Sequence, residues 1–202
     1  MKKIFLPYEE VRNNALMLAY RIYKDGFVPD VIYVSLRGGA YIGNVISEYF
    51  KIVRKNKRPV FYAAVVARSY ADIREQSAIM IDGWTYSPEH LRNGDKILLV
   101  DDIFDSGHTL NRLVEFIMAK GIPRHDIKVA VHDYKVFTQK HEQLPIQPDY
   151  YCIRHTINSP EDDIWIHYSS HELVGLSKEE LEKFYFSKNP QLREALTFAS
   201  PQ

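Results

Sequence analysis

Apolar residues along this chain alternate between helical stripes and short unbroken runs. Between Tyr8 and Lys24, the residues Val11, Ala15, Leu18, Ala19 and Ile22 recur at three- and four-residue steps, and Gly26 stands where such a helix would stop. Val31–Ser35, Val60–Ala67, Ile97–Val100 and Ile127–Val131 are runs too short for helices and apolar at successive positions, as in strands buried on both faces. A helix over Ala40–Phe50 separates the first two. Another, with Leu110, Leu113, Val114 and Ile117 on one face and Gly121 as its stop, separates the last two. Alternating strands and helices predict an α/β fold: a mainly parallel sheet of about five strands flanked by helices.

From Pro145 to Ser170 the helical period disappears and the segment is rich in proline and aromatic residues, with a strand-like run at Tyr150–Ile153. Ser177-Lys178-Glu179-Glu180 then reads as a capping box opening a helix through Phe186, and Gln191–Phe198 reads as a last short helix. The expected organisation is one domain over residues 1–176 and a helical extension over 177–202. Leu181, Phe184, Tyr185, Leu192 and Leu196 of that extension need a surface to bury them, in this chain or in a partner subunit.

Composition narrows the function classes. Among 202 residues, 26 Lys and Arg balance 26 Asp and Glu, so no global field favours nucleic acid or a membrane surface. No apolar run reaches transmembrane length, and no signal-peptide pattern is visible. The single cysteine, Cys152, excludes an internal disulfide and is expected to be an inert core residue. Together these features predict a soluble cytoplasmic protein.

The candidate chemistry lies where strands end. After Ile97–Val100 come two adjacent carboxylates, Asp101 and Asp102, then the tight loop Asp105-Ser106-Gly107-His108-Thr109 and a helix. Backbone N–H groups at that helix start, with the Ser106 and Thr109 hydroxyls, make a cradle for one phosphate, and Gly107 allows the sharp turn. The acidic pair would repel the phosphate. It suits the hydroxyls of an attached sugar, or a Mg²⁺ ion that the sugar also holds. After Val31–Ser35, the loop Leu36-Arg37-Gly38-Gly39 again exposes backbone N–H groups, and Arg37 adds a cation that can fork onto phosphate oxygens. Neither G-x-x-x-x-G-K-[ST] nor G-x-G-x-x-G occurs. His167 and His171 are four apart but make no convincing metal site.

The stretch V-D-D-I-F-D-S-G-H-T resembles the phosphoribosyl pyrophosphate (PRPP) signature of the type I phosphoribosyltransferases, and the likeness covers roughly residues 8–172. The resemblance implies PRPP contacts from Arg37, Gly38, Asp101, Asp102, Asp105, Ser106, Gly107, His108 and Thr109, with Mg²⁺ held by Asp101 and Asp102. It makes Arg68-Ser69-Tyr70 the start of a lid over Ala71–Gln76, with Arg74 meeting pyrophosphate. The segment from about 145 to 172 becomes a small hood over the base, where Trp165-Ile166 is similar to the hood of bacterial xanthine-guanine phosphoribosyltransferases. Lys135 matches the lysine that donates to the 6-oxo group in the purine-using branch.

The implied activity is transfer of 5-phosphoribosyl from PRPP to hypoxanthine, guanine or xanthine, with Asp105 taking the purine N7 proton as N9 attacks. The implied partners are PRPP, a purine base and further copies of the chain as a dimer or tetramer, with no nucleic acid and no membrane. His108 departs from the Gly or Lys common at its position, which is expected to tune affinity. Two other readings remain open: a PRPP-binding regulator without turnover, and a phosphoribosyltransferase for another base.

Overall fold

The computed structural model describes residues 2–55, 58–69, 79–139 and 144–199. The chain divides into two compact units, Met1–Ser170 and His171–Gln202. In the first, the order is β1 (Lys2–Leu6), α1 (Tyr8–Lys24), β2 (Val31–Leu36), α2 (Gly39–Val53), β3 (Phe61–Ser69), β4 (Ile79–Trp84), β5 (Ile97–Phe104), α3 (His108–Met118), β6 (Ile127–Phe137), β7 (Tyr150–Ile157) and β8 (Ile164–Tyr168).

Six of these strands form one sheet in the order β4-β3-β2-β5-β6-β7. All neighbours are parallel except β4, which runs antiparallel along β3. The central runs are apolar throughout because both faces are covered. Ile32, Val34, Leu98 and Val100 join the core beneath α1 and α2, with Leu18, Ile22, Ile42 and Ile46. Their alternating neighbours Val31, Tyr33, Ile97 and Leu99 join the core beneath α3, with Leu113, Val114 and Ile117.

Three features correct the expectation from the pattern. The sheet has six strands rather than about five. Tyr150–Ile157, expected inside the hood, is the parallel edge strand β7. Its entry is fixed by Asp149, whose carboxylate accepts the Val129 N–H at 2.8 Å and pairs with Lys128 at 3.0 Å and Arg124 at 3.1 Å. Finally, β8 pairs in parallel with β1, from Lys2↔Ile164 to Leu6↔Tyr168, in a separate two-stranded sheet that the pattern did not announce. The three apolar residues of β1, Ile4–Leu6, are too few to show a period, so its partner could not be read locally.

In the second unit the capping box is present. The Ser177 N–H donates to Glu180 Oε2 at 2.8 Å, and the Glu180 N–H donates to Ser177 Oγ at 3.2 Å. It opens α4 (Lys178–Leu181), which continues as a π-helical turn over Glu182–Phe186 rather than as one α-helix. A last helix, α5 (Leu192–Ala199), is tied back by Arg193, 2.7 Å from Glu182 and over the Phe186 ring. Among the described residues, no helix is long and apolar enough to cross a membrane.

This core makes a prediction. Leu99 is fully buried at the middle of β5, so Leu99→Ala should cost about 2–5 kcal/mol in denaturant unfolding. Met17→Ala, at a position 58% exposed on α1, should change stability by about 0.5 kcal/mol or less. Equal losses at the two positions would contradict the layering described.

Candidate active site

The parallel strands β2, β5 and β6 bring their carboxyl ends to one edge, where an open α/β sheet forms its ligand crevice. There the loop after β2 lies directly against the acidic pair. A Cβ on Gly38 would stand 2.3 Å from the Asp102 carboxyl carbon, and one on Gly39 would stand 2.4 Å from the Val100 carbonyl oxygen. Gly38 has ordinary helical angles (φ −56°, ψ −47°), so the glycine serves close approach and not an unusual turn. Asp101 accepts the Asp102 N–H at 3.0 Å. Burial and then the Asp102 charge push Asp101 well above the usual carboxylate range, against the opposing effect of a hydrogen bond from Ser35. A cation or sugar hydroxyls at this pair would relieve that repulsion.

The next loop needs its glycine for both reasons. Gly107 is left-handed (φ +81°), and a Cβ there would lie 2.2 Å from the tip of the Phe104 ring. Ser106 and His108 are exposed, Thr109 is half-buried, and α3 begins at His108. The loop is held from behind by Asn111, which sequence reasoning missed. Its backbone N–H and side-chain amide both donate to the Gly107 carbonyl at 3.0 Å. The same side chain donates to the Ile146 carbonyl at 2.8 Å and accepts the Ile146 N–H at 2.9 Å. The available signal was a polar residue inside the stripe Leu110–Val114.

Lys135, near the end of β6, is buried, with its Nζ 2.8 Å from Asp163 Oδ1 and 3.6 Å from Asp105 Oδ1. Lys135 and Asp105 line a cleft of about 220 Å³ together with Phe104, Ser106, Tyr134 and Arg154. Trp165 is 50% exposed on β8 and does not line this cleft. Ile166 was expected at the base, but its side chain alternates to the other face and packs in the core. Only its backbone is left to meet a ligand. Arg37 is exposed at the β2 loop. Arg74 and the lid segment 71–76 lie outside the described residues.

A phosphate-sized loop at a helix start, an acidic pair beside it and a lysine-lined cleft coincide with a match to the phosphoribosyl transferase domain over residues 7–169. The chain belongs to this family. A purine phosphoribosyltransferase from Pyrococcus horikoshii has the same fold, with a TM-score of 0.64, 21% identity and coverage of 88% of this chain and 99% of that one. So has the Helicobacter pylori xanthine-guanine-hypoxanthine phosphoribosyltransferase, with a TM-score of 0.57, 16% identity and coverage of 93% and 96%. By sequence, the chain is 26% identical over 153 residues to the bifunctional protein PyrR of Halalkalibacterium halodurans, covering 74% of this chain and 82% of that protein.

In this phosphoribosyltransferase a buried polar network supports the edge from below. Asp133 receives His132 Nδ1 at 2.7 Å, His155 Nε2 at 2.6 Å and the Tyr168 hydroxyl at 2.7 Å. The same hydroxyl is 3.0 Å from the Asp102 carbonyl, and Asn14 meets His132 Nε2 at 3.1 Å. Burial alone would raise the Asp133 pKa, but these hydrogen bonds outweigh it and leave it below the usual value. One carboxylate thus joins β6, β7 and β8 beneath the acidic pair.

The phosphate loop yields a prediction. Gly107→Val places a β-branched side chain at a left-handed residue and against the Phe104 ring. PRPP affinity by calorimetry should fall by about a hundredfold or more while the protein still unfolds cooperatively. Unchanged PRPP affinity in a folded Gly107→Val protein would exclude this loop as the phosphate site.

Proposed function

We propose that this protein transfers the 5-phosphoribosyl group of PRPP to a 6-oxopurine, forming a purine nucleoside monophosphate and pyrophosphate. The observation that carries this reading is the meeting of Lys135 and Asp105 in one cleft beside the phosphate loop, with Nζ and Oδ1 3.6 Å apart. N9 of the purine attacks the anomeric carbon, the bond to pyrophosphate breaks, and the N7 proton passes to Asp105. An ammonium at the base edge donates to an oxo group and has nothing to accept from an amino group.

Residues 105–109 would hold the 5′-phosphate, and Arg37 and Gly38 would meet the departing pyrophosphate, where negative charge develops. Asp101 and Asp102 offer hard carboxylate oxygens and a mutual repulsion that a divalent cation relieves, so they fit Mg²⁺ with substrate oxygens completing its shell. Bound there, Mg²⁺ would neutralise pyrophosphate charge.

A second reading draws on the identity to a relative named a bifunctional protein: the same PRPP site serving another oxo base, or a regulatory role beside transfer. Incubating the protein with PRPP, Mg²⁺ and single bases, while following pyrophosphate release, separates these. Turnover with hypoxanthine, guanine or xanthine, and its loss in excess EDTA, are expected. Use of uracil or orotate alone would favour the second reading.

Asp105→Asn is nearly isosteric but cannot take the N7 proton. It should lower kcat by about a hundredfold with PRPP affinity near wild type. A drop of less than about threefold would reduce Asp105 to a turn residue.

A further inference from the structure

Lys135 is shared unequally between two carboxylates. Its side chain is only 6% exposed, so few partners other than these carboxylates compete for the ammonium. Its hydrogen bond runs to Asp163 at 2.8 Å, whereas Asp105 stands off at 3.6 Å. Asp163 is itself fixed: it follows the 3₁₀ turn Pro160–Asp162, and its Oδ1 also accepts the Ile164 N–H at 2.8 Å. Ile164 opens β8, and the next residue is the exposed Trp165. One carboxylate therefore ties a charged donor of the main sheet to the strand that carries the exposed indole.

We propose that Asp163 is a positioning residue that acts through Lys135 to make the site select nucleobases bearing an exocyclic oxo group. This rests on the reading that the Lys135 cleft receives the base. Asp163 holds the Lys135 ammonium and draws it away from Asp105, so a donor remains for a ligand oxygen and Asp105 remains open to a ligand proton. With Asp163 gone, Asp105 is the neighbouring carboxylate left to Lys135. The ammonium then relaxes toward it, and the edge that distinguishes oxo from amino bases is lost.

The test compares wild type, Asp163→Ala and Asp163→Asn. Asparagine keeps an acceptor for the Ile164 N–H and for Nζ but removes the charge, so it is both the conservative variant and the one that keeps the local packing. In Asp163→Ala, the ratio of kcat/KM for hypoxanthine to that for adenine should fall about tenfold or more, with KM for PRPP within about twofold of wild type. Asp163→Asn should restore part of the ratio. A purely structural loss lowers both bases alike, so a ratio unchanged within about twofold in both variants overturns the inference.

A second readout needs no turnover: the Lys135 ammonium signal in ¹⁵N-lysine-labelled, unliganded protein. Its chemical shift should stay near the wild-type value in Asp163→Asn and move in Asp163→Ala, as the ammonium takes Asp105 for its partner. An unchanged signal in Asp163→Ala overturns the inference whatever the substrate. Absence of transfer by wild type to any nucleobase would instead overturn the proposed function.

Discussion

Two carboxylates side by side at the end of a buried strand repel one another, and the edge of this sheet is arranged around that repulsion. Asp101 and Asp102 leave β5 where the β2 loop presses against them, so closely that neither Gly38 nor Gly39 has room for a Cβ. Ser35 donates to Asp101, and the Tyr168 hydroxyl reaches the Asp102 carbonyl. Even with these contacts, burial and the Asp102 charge hold Asp101 well above the usual carboxylate range. What remains is a preformed demand for a cation or for hydroxyl donors, next to a loop whose N–H groups demand an anion. A phosphorylated sugar meets both demands in one molecule.

The two sides of the candidate site are held by different kinds of contact. The loop before α3 is held by Asn111, whose side chain ties Gly107 to Ile146. The side around Lys135 depends on polar side chains from β6, β7 and β8 and from the turn before β8. Asp133 gathers His132, His155 and Tyr168, while Asp163 holds Lys135. Buried networks of this kind are costly to leave half-satisfied, so loss of one member is felt by the others.

Legibility in the sequence followed range. The runs Val31–Ser35, Ile97–Val100 and Ile127–Val131, the α3 stripe and the Ser177 capping box were readable because burial on a regular backbone repeats every two or 3.6 residues. The order Asp101-Asp102 … Asp105-Ser106-Gly107-His108-Thr109 was readable because all of its groups are neighbours along one strand–loop–helix stretch. β7 was misassigned to the hood because an edge strand led in by Pro148 and rich in tyrosine lacks the apolar continuity of the interior strands.

The sequence by itself determined the α/β class, and it placed the glycine loop of residues 105–109 beside the acidic pair, since each is a property of neighbours along the chain. Tertiary structure decided which distant groups meet: Lys135 with Asp163 across 28 positions, Asn111 with Ile146 across 35, Tyr168 with Asp133 across 35, and β1 with β8 at the far end of the domain. It also decided that Trp165 faces outward while Ile166 enters the core. Such pairings follow from the closure of long loops and the packing of both sheets, and no local period encodes the partner a side chain will find once the chain has folded back on itself.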